Sequence, residues 1–376
     1  MQKRTNTGNK FTEIILKIII PVLLAAIILG SGGVPTAAKR LLFTSTALTY
    51  PAETAAIIKK NNQTTAKPSE DILISENTVA AGNQDTAEAS LIKSSVPSDI
   101  LKLVAEAEKK YAGSSNDGVI EEVDYSGKNA TSVYDGIYVR NTTKNHSIDI
   151  ENYLSRQVWA SISKDEPSVL IYHTHTTEAY ELLDRGYYTN ERSSRSENNA
   201  ENMVRVGEEI CKILEQNGYK TIHDKTIYDE QYNGAYDRSR EAIGKILKDN
   251  PSIQVVIDVH RDSIYQKDGT RIKPVTTING KKTAQIMIIS GCEDGNVTDF
   301  PNWEKNLTFA LKMQQKLSKD NPTLMRPLMF CSRKYNLDLM PCALHVEFGS
   351  DANTLTEAVL AAQLFAQSLS ELLKEY

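Results

Sequence analysis

Ser168-Val-Leu-Ile-Tyr172 runs straight into His173-Thr-His175-Thr-Thr-Glu178. A short apolar run bounded by polar residues reads as a strand buried on both faces. Such strands ordinarily exit into turn residues, whereas this one exits into imidazoles and a carboxylate. The pattern recurs twice. Ile253-Gln-Val-Val-Ile-Asp-Val-His260 continues into Arg261-Asp262, and Leu344-His-Val-Glu347 into Phe348-Gly349. Between these runs, Asn198 to Gln216 carries Met203, Val206, Ile210, Ile213 and Leu214 near a 3.6-residue period, with Gly218 placed to end the helix at C′. Lys220–His223 and Gln285–Ser290 read as further strands. Tyr236–Leu247, Pro301–Leu317 and Thr354–Leu373 read as helices. Strands alternating with amphipathic helices predict an α/β fold: a mostly parallel twisted sheet with helices on both faces, whose ligands collect beyond the carboxyl ends of the strands.

Upstream the texture changes. Residues 97–129 hold one short helix, starting near Ser98 or Asp99, and a connecting segment, leaving 130–376 as the catalytic domain. Residues 39–96 form a linker; from about 60 onward, rich in Thr, Ala, Asn, Glu and Ser, it has too little apolar surface to offset the entropy of ordering, so a disordered tether is expected. Random-coil scaling gives residues 60–96 a reach of roughly 35 Å. Residues 1–38 open with Lys3, Arg4 and Lys10 and then an apolar stretch interrupted only by Lys17. This is either a single-pass anchor, with Lys17 snorkelling, or a cleaved signal segment; both readings put the remainder outside the cytoplasm. The 376 residues are 40% hydrophobic and 24% charged with net charge −5, which excludes full disorder and a chain-wide basic field for nucleic acid. The four cysteines form no CxxC pair, although Cys331 and Cys342 are candidates to bridge outside the cytoplasm.

If the three strand ends converge, histidines and carboxylates meet in one cleft. Catalytic zinc takes three protein donors and leaves one position for water, whose pKa it lowers to about 7. His175 and Glu178 supply two donors and His260 the third. Glu347, off the metal, takes the proton and passes it to a leaving nitrogen, so the chemistry expected is amide hydrolysis without a nucleophilic side chain. Two alternatives stand open. His173 and His175, two apart on an extended strand, face the same side, so His173 competes as ligand. Glu191, Glu197 or Glu201 competes with Glu178. His345, His223 and His146 read as structural, and Arg261 as a partner of Asp262 or a carboxylate clamp.

Tyr172-His-Thr-His-Thr-Thr-Glu-Ala-Tyr180, Asp258-Val-His-Arg-Asp262 and Val346-Glu-Phe-Gly-Ser-Asp-Ala-Asn-Thr354 together resemble the stage II sporulation protein P family of membrane-anchored cell-wall hydrolases, over about residues 130–376 plus the anchor and tether. The last motif is similar to the Glu-Val-Gly-Phe-x-x-Asn pattern of zinc-dependent N-acetylmuramoyl-L-alanine amidases, whose catalytic carboxylate falls on Glu347. Their metal histidine falls on His175. Zinc carboxypeptidases carry a similar His-x-x-Glu, falling on His175 and Glu178. The amidases' Gly-His-Gly-Gly turn is His-Thr-His-Thr here. The resemblance implies a phosphorylase/hydrolase-like fold, Zn2+ as cofactor and peptidoglycan as substrate, cut between N-acetylmuramic acid and L-alanine, with peptide crosslinks as a further candidate bond. It also implies action at the septum during engulfment, beside a glycan-cleaving transglycosylase and a membrane partner. Two rival readings are a metallocarboxypeptidase, with Arg261 or Arg333 as its clamp, and a non-catalytic wall-binding scaffold.

Overall fold

The structure, a computed structural model, describes residues 95–376. The expected membrane or signal segment and the expected linker up to residue 94 lie outside the described residues, among which no helix is long and apolar enough to cross a membrane. The strands are β1 (Gly118–Val123), β2 (Ser132–Tyr134), β3 (Ile137–Asn141), β4 (Pro167–Tyr172), β5 (Tyr187–Tyr188), β6 (Lys220–His223), β7 (Val255–Asp262), β8 (Arg271–Ile278), β9 (Lys281–Ala284), β10 (Ile286–Gly291), β11 (Leu328–Cys331) and β12 (Ala343–Ser350). The α-helices are α1 (Ser98–Lys110), α2 (Ile150–Ser155), α3 (Met203–Gln216), α4 (Ala235–Asp249), α5 (Trp303–Asp320) and α6 (Leu355–Leu372).

Eight strands form the main sheet in the order β2-β3-β11-β10-β12-β7-β4-β6. One half of it, β12-β7-β4-β6, is parallel. The sheet as a whole is mixed, because β10 runs antiparallel to β12 and β2 antiparallel to β3. The reversal at β10 arises where the chain returns from a second sheet, β5-β1-β8-β9, that the apolar-run pattern does not reveal. There β8 turns into β9 at Asn279-Gly280, both at positive φ, and β9 passes directly into β10.

Side-chain alternation sorts the main sheet's two faces. Val169, Ile171, Val255, Ile257, Val259, Leu344, Val346 and Phe348 pack in one large core with apolar residues of α3, α5 and α6. Leu170, Tyr172, Val256 and Ala343 pack on the other face with Ile243 of α4. Helices therefore cover both faces. α3 stops where the sequence predicts: Gly218 adopts φ +87°, and the Gly218 and Tyr219 amides return to the Glu215 and Leu214 carbonyls. α1 has Pro97 at its N-cap with no side-chain cap, since Asp99 instead pairs with Arg205 at 2.9 Å. Residues 97–129 pack into the same structure as the rest: Ile100 and Ala107 of α1 sit in the large core, and β1 pairs with β8. All four cysteines are buried free thiols, so Cys331 and Cys342 form no bridge here.

Candidate metal centre

Register, more than sequence proximity, assembles the site. On the parallel pair β7 and β12, His260 lies opposite Glu347 and Asp258 opposite His345. All four share one sheet face, since Val259 and Val346 between them point into the large core. Tyr172, the last residue of β4, lies opposite Asp258, so the turn after β4 delivers its side chains beside the same patch.

That turn corrects one sequence expectation. The chain leaves the extended conformation after Tyr172, so His173 and His175 do not face the same side. His173 is fully buried, with Nδ1 3.0 Å from the Val259 carbonyl and Nε2 2.9 Å from His223 Nε2. A carbonyl only accepts, so Nδ1 of His173 is protonated and its Nε2 accepts from His223. Burial lowers both, His173 to about 4 and His223 to about 2, which keeps the pair neutral. α3 crosses directly over them at Gly207, where a Cβ would lie 2.6 Å from His223 Nε2 and 2.8 Å from His173 Nε2. Gly207→Ala should therefore cost about 1–3 kcal/mol of stability. Urea denaturation followed by circular dichroism measures it, and an unchanged midpoint would show that the helix can shift aside.

His175 turns the other way. Its ring stacks flat on Tyr232, with centroids 4.6 Å apart at 3°, and meets the His260 ring at 5.4 Å and 84°. Burial lowers it to about 4, with the Glu178 carboxylate opposing. Glu178 Oε2 is 3.5 Å from His260 Nδ1 and accepts the Arg261 backbone amide at 3.3 Å. Burial alone would raise the Glu178 carboxyl, but the Arg261 guanidinium and the His260 imidazole hold it well below its usual range. The later glutamates sit elsewhere: Glu201 pairs with Arg192 at 3.0 Å, Glu191 accepts from Ser114, and Glu197 is exposed. Arg261 does not pair with the Asp262 carboxylate, which binds Arg326 at 2.9 Å. Its guanidinium instead donates to the carbonyls of Ala179 and Ser194, fastening the turn that carries Glu178. That leaves it committed and unavailable as a clamp for a peptide carboxylate.

Behind His260 lies Asp258, fully buried, its two oxygens accepting the amide and the hydroxyl of Thr174 at 2.9 and 2.7 Å. His260 Nε2 is 2.8 Å from Asp258 Oδ1, though off the axis of a well-formed hydrogen bond. Burial opposes the charged form of His260, yet Asp258 and Glu178 outweigh it and raise its pKa. The site thus favours a positive charge between these carboxylates. His345, read from the sequence as structural, belongs here too: its Nε2 is 2.9 Å from Glu347 Oε1 and its ring stacks on His260 at 4.2 Å.

Among the described residues, four buried polar atoms of this cluster have no hydrogen-bond partner: His175 Nδ1, His260 Nε2, His345 Nδ1 and Glu347 Oε2. A divalent ion and its water would satisfy part of this set: His175 Nδ1 and Glu347 Oε2 if the ion sits beside Glu178, His260 Nε2 and His345 Nδ1 if it sits beside Asp258. Two donor sets compete. His175, Glu178 and His260 are one. Asp258, His260 and His345, whose donor atoms lie within 4.8 Å of one another, are the other. Ring geometry favours the first. Imidazoles about 2.1 Å from one tetrahedral ion have centroids roughly 5 Å apart, close to the 5.4 Å between His175 and His260. His260 and His345 are parallel within 14°, so their in-plane lone pairs do not converge on one ion. Asp258 is moreover engaged by Thr174 through both oxygens.

The description stage II sporulation protein P (SpoIIP) fits residues 52–370 of the chain. The stage II sporulation protein P of Bacillus subtilis (strain 168) is 31% identical over 220 residues, 55% of this chain and 51% of the relative, so the match spans about half of that relative's length. Among solved structures, the N-acetylmuramoyl-L-alanine amidase AmiC2 of Nostoc punctiforme is similar at 12% identity, covering 57% of this chain and 99% of its own, with a TM-score of 0.33. The CwlD amidase of Clostridioides difficile, solved in complex with the GerS lipoprotein, is similar at 10% identity over 56% of this chain and 100% of its own, with a TM-score of 0.37.

Proposed function

Because this chain belongs to the stage II sporulation protein P family, we propose that it is a zinc-dependent peptidoglycan hydrolase cleaving the amide between N-acetylmuramic acid and L-alanine. The observation that carries the reading is the meeting of His175, Glu178 and His260 beside an orphaned Glu347 oxygen. In this reading His175, Glu178 and His260 hold the zinc, which when bound polarises the scissile carbonyl and makes water acidic enough to attack near neutral pH. Asp258 lies behind the His260 ring and steadies its orientation, as outer-shell carboxylates do at metal histidines. Glu347 Oε2 takes the proton of the attacking water and returns it to the leaving nitrogen, so the amide C–N bond breaks to an acid and an amine. His175, buried between Tyr232 and Tyr236, is shielded from bulk water.

The wider setting proposed is a single-pass membrane protein with its catalytic domain outside the cytoplasm. It would remodel septal wall during sporulation and engulfment, beside a glycan-cleaving transglycosylase and a membrane partner, with peptide crosslinks as a further target. Purified peptidoglycan incubated with the full chain tests the chemistry. A chelator should stop product release by at least about 100-fold and added zinc should restore it. Mass spectrometry should find intact stem peptides freed from sugar. Single amino acids would replace the proposal by a carboxypeptidase, and bound peptidoglycan without turnover by a scaffold.

A further inference from the structure

We infer that His345 is a positioning residue that holds the Glu347 carboxylate in its working orientation, and that it is not a metal ligand. The inference rests on the zinc-hydrolase reading and deepens it. His345 and Glu347 are two residues apart on β12 and therefore project from the same face, with side chains 3% and 11% exposed. His345 Nε2 lies 2.9 Å from Glu347 Oε1. A carboxylate can only accept, so the proton sits on Nε2 and His345 donates. Its Nδ1 is then a lone-pair acceptor, buried and without a partner. An unsatisfied buried acceptor costs about 1–3 kcal/mol, a cost an apolar side chain at 345 would not carry. Packing alone therefore does not account for an imidazole here, whereas its Nε2–H does.

The ring has little freedom to leave this bond. One face stacks on His260 at 4.2 Å and 14°, and Tyr335 packs at 5.0 Å and 40°. With Oε1 tied down, the other oxygen of Glu347 is fixed as the unpartnered one. Register sets that oxygen's carboxylate directly across from His260 on the neighbouring strand. One imidazole thus decides which carboxylate oxygen stays free to move a proton, and Glu347 does not swing between the two.

The test uses the full chain with N-acetylmuramoyl peptides as substrate, comparing wild type, His345→Leu and His345→Gln for zinc content, kcat and KM. Far-ultraviolet circular dichroism and the melting temperature establish that each variant folds. His345→Leu should keep one zinc per chain and its KM, and lose about 10- to 100-fold in kcat. His345→Gln, whose side-chain amide can donate to Oε1, should recover most of that loss; a merely structural histidine would not be rescued by a polar amide in place of an apolar residue of similar volume. Loss of zinc in both folded variants would overturn the inference and make His345 a ligand. An unchanged kcat in His345→Leu, or equal loss in Leu and Gln variants, would overturn it as well. Wild-type protein that binds zinc but releases no stem peptide would instead sink the hydrolase reading itself.

Discussion

His260→Ala is expected to abolish zinc binding and hydrolysis together, and to weaken the zinc-free protein by about 3–5 kcal/mol. The imidazole is 2% exposed and stands between two buried carboxylates, with Asp258 2.8 Å from one nitrogen and Glu178 3.5 Å from the other. Removing it takes away a proposed metal donor, and it also leaves two buried carboxylates without the imidazole between them. Glu178 keeps the Arg261 guanidinium at 4.0 Å, and Asp258 keeps its two hydrogen bonds from Thr174. The fold should therefore survive while losing a large part of its margin. Metal content by mass spectrometry and urea unfolding in a chelator separate the two losses. A variant that still carries one zinc per chain would show that His260 is no ligand, whatever its activity.

The strands that carry the site were legible because they are buried on both faces, and their near-continuous apolar runs stand out without an alignment. Ser168–Tyr172, Ile253–His260 and Leu344–Glu347 are found as β4, β7 and β12, within three residues at every end. Helix α3 was legible from its period, and α4, α5 and α6 were found where the sequence reads helices. The second sheet was not. β8 reads Arg271-Ile-Lys-Pro-Val-Thr-Thr-Ile278, with its charges and proline masking the alternation, and Lys273 is buried only because Asp184, Glu122 and Glu357 surround it. One signal was available: Asn279-Gly280 between β-branched and polar residues is the two-residue hairpin pair. The antiparallel course of β10 follows from that hairpin and was invisible without it.

For the candidate site, residue types at strand ends pointed to side chains that the structure brings together, and the facing of individual side chains did not follow from them. Period-two reasoning put His173 and His175 on one side because it assumed the strand continued. The turn that begins after Tyr172 sends the first under α3 and the second toward His260. The same reasoning, applied to β12, would have placed His345 beside Glu347, since that strand does continue. Asp258 likewise stands two residues before His260 on β7. Both were within reach of alternation alone; what the sequence lacked was the register that sets Asp258 against His345 and His260 against Glu347.

Glu347→Gln isolates the proton transfer from everything else the site does. Glutamine has nearly the volume of glutamate, and its carbonyl oxygen can still accept from His345 Nε2, so the β12 geometry and the His260 stack should persist. The amide nitrogen then replaces the oxygen that has no partner, and an amide nitrogen cannot take a proton from water. Zinc content should stay at wild type because His175, Glu178 and His260 are untouched. The loss should appear in kcat, by about 10²- to 10⁴-fold, with KM changed little. Peptidoglycan should still cosediment with the variant. A kcat within about threefold of wild type would remove Glu347 from the chemistry and leave the free oxygen without a function. Loss of zinc instead would move Glu347 into the ligand set, and the proton acceptor would then have to be sought among the other titratable groups packed against His260, Asp258 and His345 first.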